Sequence, residues 1–439
     1  MIIRASSRTD IEEVAMSEQI SVAIAGAGLG GLCLAQSLLR SGFDVHVYER
    51  DASAHSRRQG YRITTDEYGI DALRRSLPPH LFELYLATAS DPSGTGYFRF
   101  VNQRMGSVFT LTFEGGPGGT DLRTPRQADR QTLRALLLSG LGDRVHFGKA
   151  AAGVDVAADS ATLRFTDGAA VTAALVVGAD GANSPLRQRL LPDCEPERLG
   201  LTAIYGRSRL VHDGRALVPE SLVNSGVLAL GDAPGSSFFF TTMRFPRSPR
   251  EAFARFGSDR EAPVDDDYVM WAVNLPGSAF PADRRGDSAE LHAMALAAVG
   301  DYHPVLRRLV ERADIEDTLE VPMRAAVRPT DWSGSRATLL GDAVHLMPPF
   351  NAHGGNTALR DAALLGERLR DAAERGMPLV NAVEDYQREL LDYAFAEVAD
   401  AKRMMARATT RNPLLRWALL RAVPWARSRR GNVLDLAAA

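Results

Sequence analysis

Lysine is nearly missing from these 439 residues: Lys149 and Lys402 are the only two, set against abundant arginine and alanine. Any scheme that needs a lysine amine at a reactive centre must use one of those positions. Cysteine is equally scarce. Cys33 and Cys194 cannot build a disulfide framework or a zinc site of the usual kind, and Cys33, within an apolar helical stretch, reads as packing. No apolar run reaches the roughly 18 residues of a membrane helix, so no integral membrane segment is expected. The 51 basic and 54 acidic residues leave a net charge of −3, which gives no electrostatic case for nucleic acid as a partner. The first fifteen residues lack the apolar core of a signal peptide. Residues 1–17 are read as a disordered tail, Met16 as an alternative start, and the location as cytoplasmic.

Against these absences stands one dense motif. Ile20, Val22 and Ile24 form an apolar strand that runs into Gly26-Ala27-Gly28-Leu29-Gly30-Gly31 and then a helix carrying Leu32, Ala35 and Leu38. A second strand, Val45 to Tyr48, ends at Glu49. Gly26 permits the tight turn, Gly28 lets the backbone approach a pyrophosphate, and Gly31 allows close packing while the helix N-terminus faces the phosphates. Glu49 lies close to the offset of roughly 20 residues at which an acid binds ribose hydroxyls. A carboxylate there favours the free ribose of NAD or FAD over the 2′-phosphate of NADP.

Chain length calls for two lobes. Residues 18–198 read as a nucleotide-binding domain that also contributes strands around 98–113. A helix is expected over Tyr68 to Leu77, stopped by Pro78-Pro79, and another over Arg126 to Leu138. Phe109, Leu111 and Phe113 alternate with threonines as in a half-buried strand, and Glu114 to Thr120 reads as a mobile loop. Residues 199–290, with strands at Val227–Leu230, Ser237–Met243 and Tyr268–Val273, read as a sheet lobe suited to covering a substrate. Phe238, Phe239, Phe240, Met243 and Trp271 are either its pocket wall or its core. Residues 291–375 complete the nucleotide domain, and 376–439 are C-terminal helices, one of them from about Ala382 to Ala408.

Two further strand-to-turn segments follow: Leu175 to Val177 leading into Gly178-Ala179-Asp180-Gly181, and Thr338 to Leu340 leading into Gly341-Asp342. Pro348-Pro349 and Gly354-Gly355-Asn356 come after the second. In this order, and with Arg130 and Leu133 in an R-x-x-L-R helix, the chain resembles the FAD-dependent aromatic-hydroxylase-type flavoprotein monooxygenases, the p-hydroxybenzoate hydroxylase fold that includes tetracycline-inactivating oxygenases. The resemblance covers Ile20 to about Leu369. It implies an α/β fold: a Rossmann-type FAD-binding domain with an inserted β-sheet substrate domain and a C-terminal helical region.

The resemblance also implies roles. Gly26, Gly28, Leu29, Gly30, Gly31, Glu49 and Arg50 would hold the ADP half of FAD; Asp180 the pyrophosphate region; Arg130 the flavin or pyrophosphate; Arg57 or Arg58 the ring. Asp342 would bind ribityl hydroxyls, and Pro349, Gly354, Gly355 and Asn356 would pass the pyrimidine edge of the flavin. Relatives usually carry glycine and glutamine where this chain has Ala352 and His353, so the flavin loop is not standard. His353 is a candidate proton donor, or a loop histidine bonded to a backbone carbonyl. The implied activity is oxygenation of a bulky, largely apolar small molecule, such as a polyketide or other specialised metabolite, using FAD, dioxygen and NAD(P)H as a transient co-substrate. No second dinucleotide turn is present for the NAD(P)H. A halogenase is excluded because no lysine lies between Gly31 and Lys149. The alternative is a non-redox cyclase in which FAD is structural; NADH versus NADPH and the oligomeric state stay open.

Overall fold

A computed structural model describes residues 19–54, 56, 60–90, 97–112, 124–212, 214–223, 225–280, 286–330 and 332–410. The expected N-terminal tail, Arg57, Arg58, Phe113, the Glu114 to Thr120 loop and the chain beyond residue 410 lie outside that set.

Five strands form a parallel sheet in the order Ala337–Leu339, Leu175–Gly178, Ser21–Ala25, Asp44–Glu49, Val145–Phe147. Its central strands are apolar on both faces, as burial on both sides requires: Val22, Ile24, Leu175 and Val177 on one face and Ala23 and Val176 on the other are at most 2% exposed. Ala25 pairs with Gly178 and Gly178 with Leu339, so three strands far apart in sequence end level with one another. The turns that follow them emerge at one edge. The helix Leu29–Arg40 packs on the 22-residue helix Gly354–Arg375, and Gly366 allows this because a Cβ there would lie 2.4 Å from Ser37 Oγ.

A seven-stranded sheet builds the second lobe, ordered Leu319–Ala325, Glu197–Arg209, Tyr268–Pro276, Ser237–Met243, Gly226–Leu230, Tyr97–Asn102, Ser107–Thr112. Its register sorts the aromatic run onto two faces. Phe240 pairs with Trp271 and Val227, and Phe238 with Val273 and Ala229; these are buried against Leu291, Leu306 and Leu309 of the helices Ser288–Ala298 and Pro304–Glu311. Phe239, one position out of phase, pairs with Leu228 and Ala272, and Leu228 with Phe100. That opposite face borders the cavity described below. Period-2 geometry therefore divides the expected pocket wall: Phe239 belongs to it, while Phe238, Phe240 and Trp271 are core.

Several elements differ from expectation. Arg126–Asp129 is a strand, paired antiparallel with Arg62–Thr65, and the helix begins only at Arg130. Asp129 makes the switch by capping that helix, accepting from Thr132 N and Oγ1, both at 2.7 Å. Pro78-Pro79 ends one helix and opens the next, Pro79–Thr88, where a proline in the first turn loses no hydrogen bond. The long strand Glu197–Arg209 escaped the sequence pattern because glycines and charges interrupt it. One of these, Gly206, makes room for Trp271, whose Cζ2 would lie 2.0 Å from a Cβ. Residues 288–325 pack with the seven-stranded sheet and supply its edge strand. The last helix runs Leu379–Ala408.

The two faces predict different mutants. Phe238→Ala should cost about 3–5 kcal/mol in denaturant unfolding, because it leaves a cavity in a closed core. Phe239→Ala should cost clearly less than Phe238→Ala and act mainly on ligand binding.

Candidate functional site

The glycine turn is built by close approach. Gly26 has φ +109°, and a Cβ there would lie 2.3 Å from Ala179 O; a Cβ on Gly31 would lie 2.2 Å from Gly26 O. Gly31 thus packs the helix onto the turn itself. A Cβ on Gly28 would meet nothing within 4 Å, so this residue faces open space. Gly28 is also the N-cap of the helix Leu29–Arg40, whose first N–H groups receive no side-chain cap. An uncapped N-terminus opening on a cavity is suited to a phosphate.

Glu49 does more than the sequence suggested. Its carboxylate accepts from Ala27 N at 2.7 Å and Asp51 N at 3.0 Å, so it fastens the turn, and the remaining lone pairs are left for a ribose hydroxyl. Arg134 reinforces the same loop, donating from Nε to Ala27 O at 2.8 Å and from Nη1 to Ala54 O at 2.7 Å. Its signal was present as the last residue of R-x-x-L-R.

Asp180 and Asp342 stand at the ends of the neighbouring strands. Asp180 Oδ1 is buried with no hydrogen-bond partner among the described residues, and burial, only partly offset by Ser184, pushes the carboxyl up to about 6. Behind Asp342 lies a network that the sequence did not flag. Asp361 accepts from Gly341 N at 2.8 Å, from Tyr393 OH at 2.6 Å, and pairs with His345 Nε2 at 2.6 Å, with His345 and Asp361 fully buried. Burial opposes charge on His345, but Asp361 and then Asp342 outweigh it and hold the imidazole above its usual range. The Gly341-Asp342 turn is thereby fixed from its buried side. The signal was an aspartate on the apolar face of a helix, Leu359-Arg360-Asp361-Ala362.

The loop Pro348 to Asn356 carries the chain's departures. Ala352 adopts φ +59°, a conformation that costs an L-residue about 1–2 kcal/mol. Asn356 borders the cavity, yet its amide is committed to backbone: Nδ2 donates to Thr64 O at 2.8 Å and Oδ1 accepts from Asp66 N at 3.1 Å. It locks the loop to the strand Arg62–Thr65. Among the described residues the His353 ring meets carboxylates and no backbone carbonyl: Nδ1 lies 2.6 Å from Glu397 Oε2 and Nε2 3.9 Å from Asp66 Oδ2.

One cavity of about 2290 Å³ joins these parts. That is more than twice the roughly 300–1,000 Å³ of a site for one drug-sized ligand. Gly26, Gly28, Leu29, Gly30, Gly31, Glu49 and Arg50 border one end; Arg130, Asp180 and Asp342 the middle; Pro349, His353, Gly354 and Gly355 the loop side. Arg57 lies outside the described residues. The open Gly28, the uncapped helix end and the orphaned Asp180 oxygen fit a long ligand with phosphates and hydroxyls, as FAD is.

Residues 24–86 match the NAD(P)-binding Rossmann-like domain family and residues 297–399 the FAD binding domain family. The Cercospora beticola dual O-methyltransferase/FAD-dependent monooxygenase CTB3 is 31% identical over 83% of this chain and 44% of its own length. The 6-hydroxynicotinate 3-monooxygenase of Pseudomonas fluorescens is 27% identical over 85% of this chain and 88% of its own. The chain spans less than half the length of the dual enzymes it matches. In fold, a Photorhabdus luminescens protein described as an FAD containing monooxygenase superposes with TM-score 0.73 at 28% identity, covering 90% of this chain and all of that one. The tetracycline destructase Tet(51) superposes with TM-score 0.62 at 15% identity, covering 95% of this chain and 99% of that one.

The chain thus carries an FAD binding domain match and a Rossmann-like domain match, and over most of its length it is similar to FAD-dependent monooxygenases. FAD is the cofactor of this flavoprotein. Among the described residues no helix is long and apolar enough to cross a membrane.

Because Gly28 has free space, Gly28→Val should fold normally yet purify with most of its yellow colour lost, as should Asp342→Ala; full FAD retention by both would refute these assignments. Asp180 gives a pH test on the apoprotein. Its raised carboxyl stabilises the fold below about pH 4, and that contribution is lost as pH rises towards 6. Asp180→Asn should therefore exceed the wild type in stability above pH 6, by on the order of 1–3 kcal/mol, with the difference closing towards pH 4.

Proposed function

We propose that the protein is a single-component flavin monooxygenase, drawing electrons from NAD(P)H and placing one oxygen atom of dioxygen on a bulky, largely apolar small molecule. The observation that carries this reading is the continuity of the cavity. It runs from Gly28 and Glu49 to the aromatic face formed by Phe98, Phe100, Phe109 and Phe239. When bound, FAD supplies the hydride acceptor and the oxygen activation, so no protein nucleophile is needed.

The chain's own residues do the rest. The stacked pair Phe100 and Phe109, with centroids 4.0 Å apart, and Phe98 with Phe239 at 5.9 Å, offer an apolar wall for a flat substrate and exclude water from it. Across from it, Thr64 donates to Gln127 Oε1 at 2.9 Å in the ribbon Arg62–Thr65 and Arg126–Asp129, giving polar groups that orient substrate oxygens. A phenolic or polyketide-like metabolite matches this pairing of one aromatic and one polar wall.

The test is anaerobic reduction of the purified flavoprotein by NADPH and NADH, followed by aerobic turnover with a panel of polycyclic phenols. Reduction by one of the two nucleotides and a product heavier by one oxygen atom are expected. Failure of both nucleotides to reduce the flavin would remove the single-component reading. A product of unchanged mass would remove oxygenation.

A further inference from the structure

The reaction proposed above takes up a proton: NAD(P)H, H⁺, O₂ and R–H give NAD(P)⁺, R–OH and water. Without organic substrate the same balance holds, with NAD(P)H, H⁺ and O₂ giving NAD(P)⁺ and H₂O₂. Each turnover therefore needs one proton delivered into a cavity whose substrate end is walled by aromatic rings.

Three side chains from separate elements meet where that delivery is possible. His353 borders the cavity and is 41% exposed at its side chain, so it touches solvent as well. Glu397, from the last helix, lies 2.6 Å from Nδ1, a short, charge-assisted distance. Asn351 Nδ2 donates to the same Oε2 at 3.2 Å and holds it in place. Asp66, from the segment leading into the helix Glu67–Ser76, lies 3.9 Å from Nε2, a span that one bridging water closes. Asp66 also borders the cavity.

Resting on the monooxygenase reading, we propose that Glu397, His353 and Asp66 form a proton relay into the cavity. Glu397 is the positioning residue: by accepting from Nδ1–H it fixes the tautomer and leaves Nε2 as the atom that exchanges protons, the arrangement by which a buried carboxylate orients a catalytic histidine. The protonated ring gives its Nε2 proton to the Asp66 carboxylate and keeps Nδ1–H. A solvent acid restores Nε2, and the Asp66 carboxyl passes its proton to the cavity. One proton moves per cycle and no electron is transferred. Burial raises the Asp66 carboxyl above its usual range, opposed chiefly by Gly69 N–H.

The experiment uses the FAD-loaded protein and NADPH-dependent oxygen uptake without organic substrate, in wild type, His353→Gln, Glu397→Gln, Glu397→Asp and Asp66→Asn. Expected is a fall in kcat of roughly 100-fold for His353→Gln, the lower end of general acid effects. FAD content and the KM for NADPH should be unchanged, the loss should be largest at high pH, and added imidazole should restore activity. Glu397→Gln should behave similarly and Glu397→Asp should recover in part. In the apoprotein, a low-field Nδ1 proton resonance should be present in wild type and absent in both His353→Gln and Glu397→Gln. Unchanged kcat and pH profiles across the set would overturn the relay while leaving the monooxygenase reading intact. So would a loss of kcat that follows loss of FAD or stability and that imidazole does not restore. If neither NADPH nor NADH reduces any variant, wild type included, the single-component reading falls and the relay built on it falls too; the resonance then reports only the His353–Glu397 contact.

Discussion

The level ending of three parallel strands is the constraint on which everything else rests. Ala25, Gly178 and Leu339 are register partners, so the turns at Gly26, Asp180 and Asp342 leave the sheet side by side although more than 300 residues separate the first from the last. In a parallel sheet the carboxyl ends of the strands form a crevice at one edge, and ligands bind there. Two of these turns are fastened from behind: the first by Glu49 and Arg134, the third by Asp361. Polar capacity is left over at the helix end at Gly28, at Asp180 Oδ1 and on the Glu49 carboxylate. Such unused polar capacity suits a ligand with phosphates and hydroxyls.

The second lobe follows the same logic with a different period. Its sheet needs one face for a core of its own, and the helices Ser288–Ala298 and Pro304–Glu311 cover that face with leucine and valine. The other face, left with Phe98, Phe100, Phe109 and Phe239, turns towards the nucleotide-binding lobe and closes the cavity between them. The loop Pro348 to Asn356 is held on both sides, by Asn356 to the strand Arg62–Thr65 and by Glu397 to the last helix. A strained Ala352 persists there because those anchors over-determine the loop.

Legibility in the sequence tracked the range of the interactions. The glycine turn, the strands leading to Gly178 and Gly341, the strand Ser237–Met243 and the last helix are local patterns, and each was readable from spacing and apolar period. The strand Arg126–Asp129 was not, because it is a strand only through pairing with Arg62–Thr65, some 60 residues away. Glu197–Arg209 was hidden by Gly206, a glycine required by a tryptophan on the neighbouring strand. Asp361, Glu397 and Asp66 carry no motif at all. Their importance comes from what they meet, and those partners lie between 16 and 290 residues distant.

The sequence by itself determined the ligand class and the order of the parts. Glycine spacing, strand hydrophobicity and the two aspartate turns are set by local backbone chemistry that any reader of the chain can recover. Only the tertiary structure decided which aromatic residues face the cavity, since a shift of one residue in strand register exchanges Phe238 for Phe239. It also decided that His353 stands between two carboxylates, because that meeting depends on how the last helix docks against the loop.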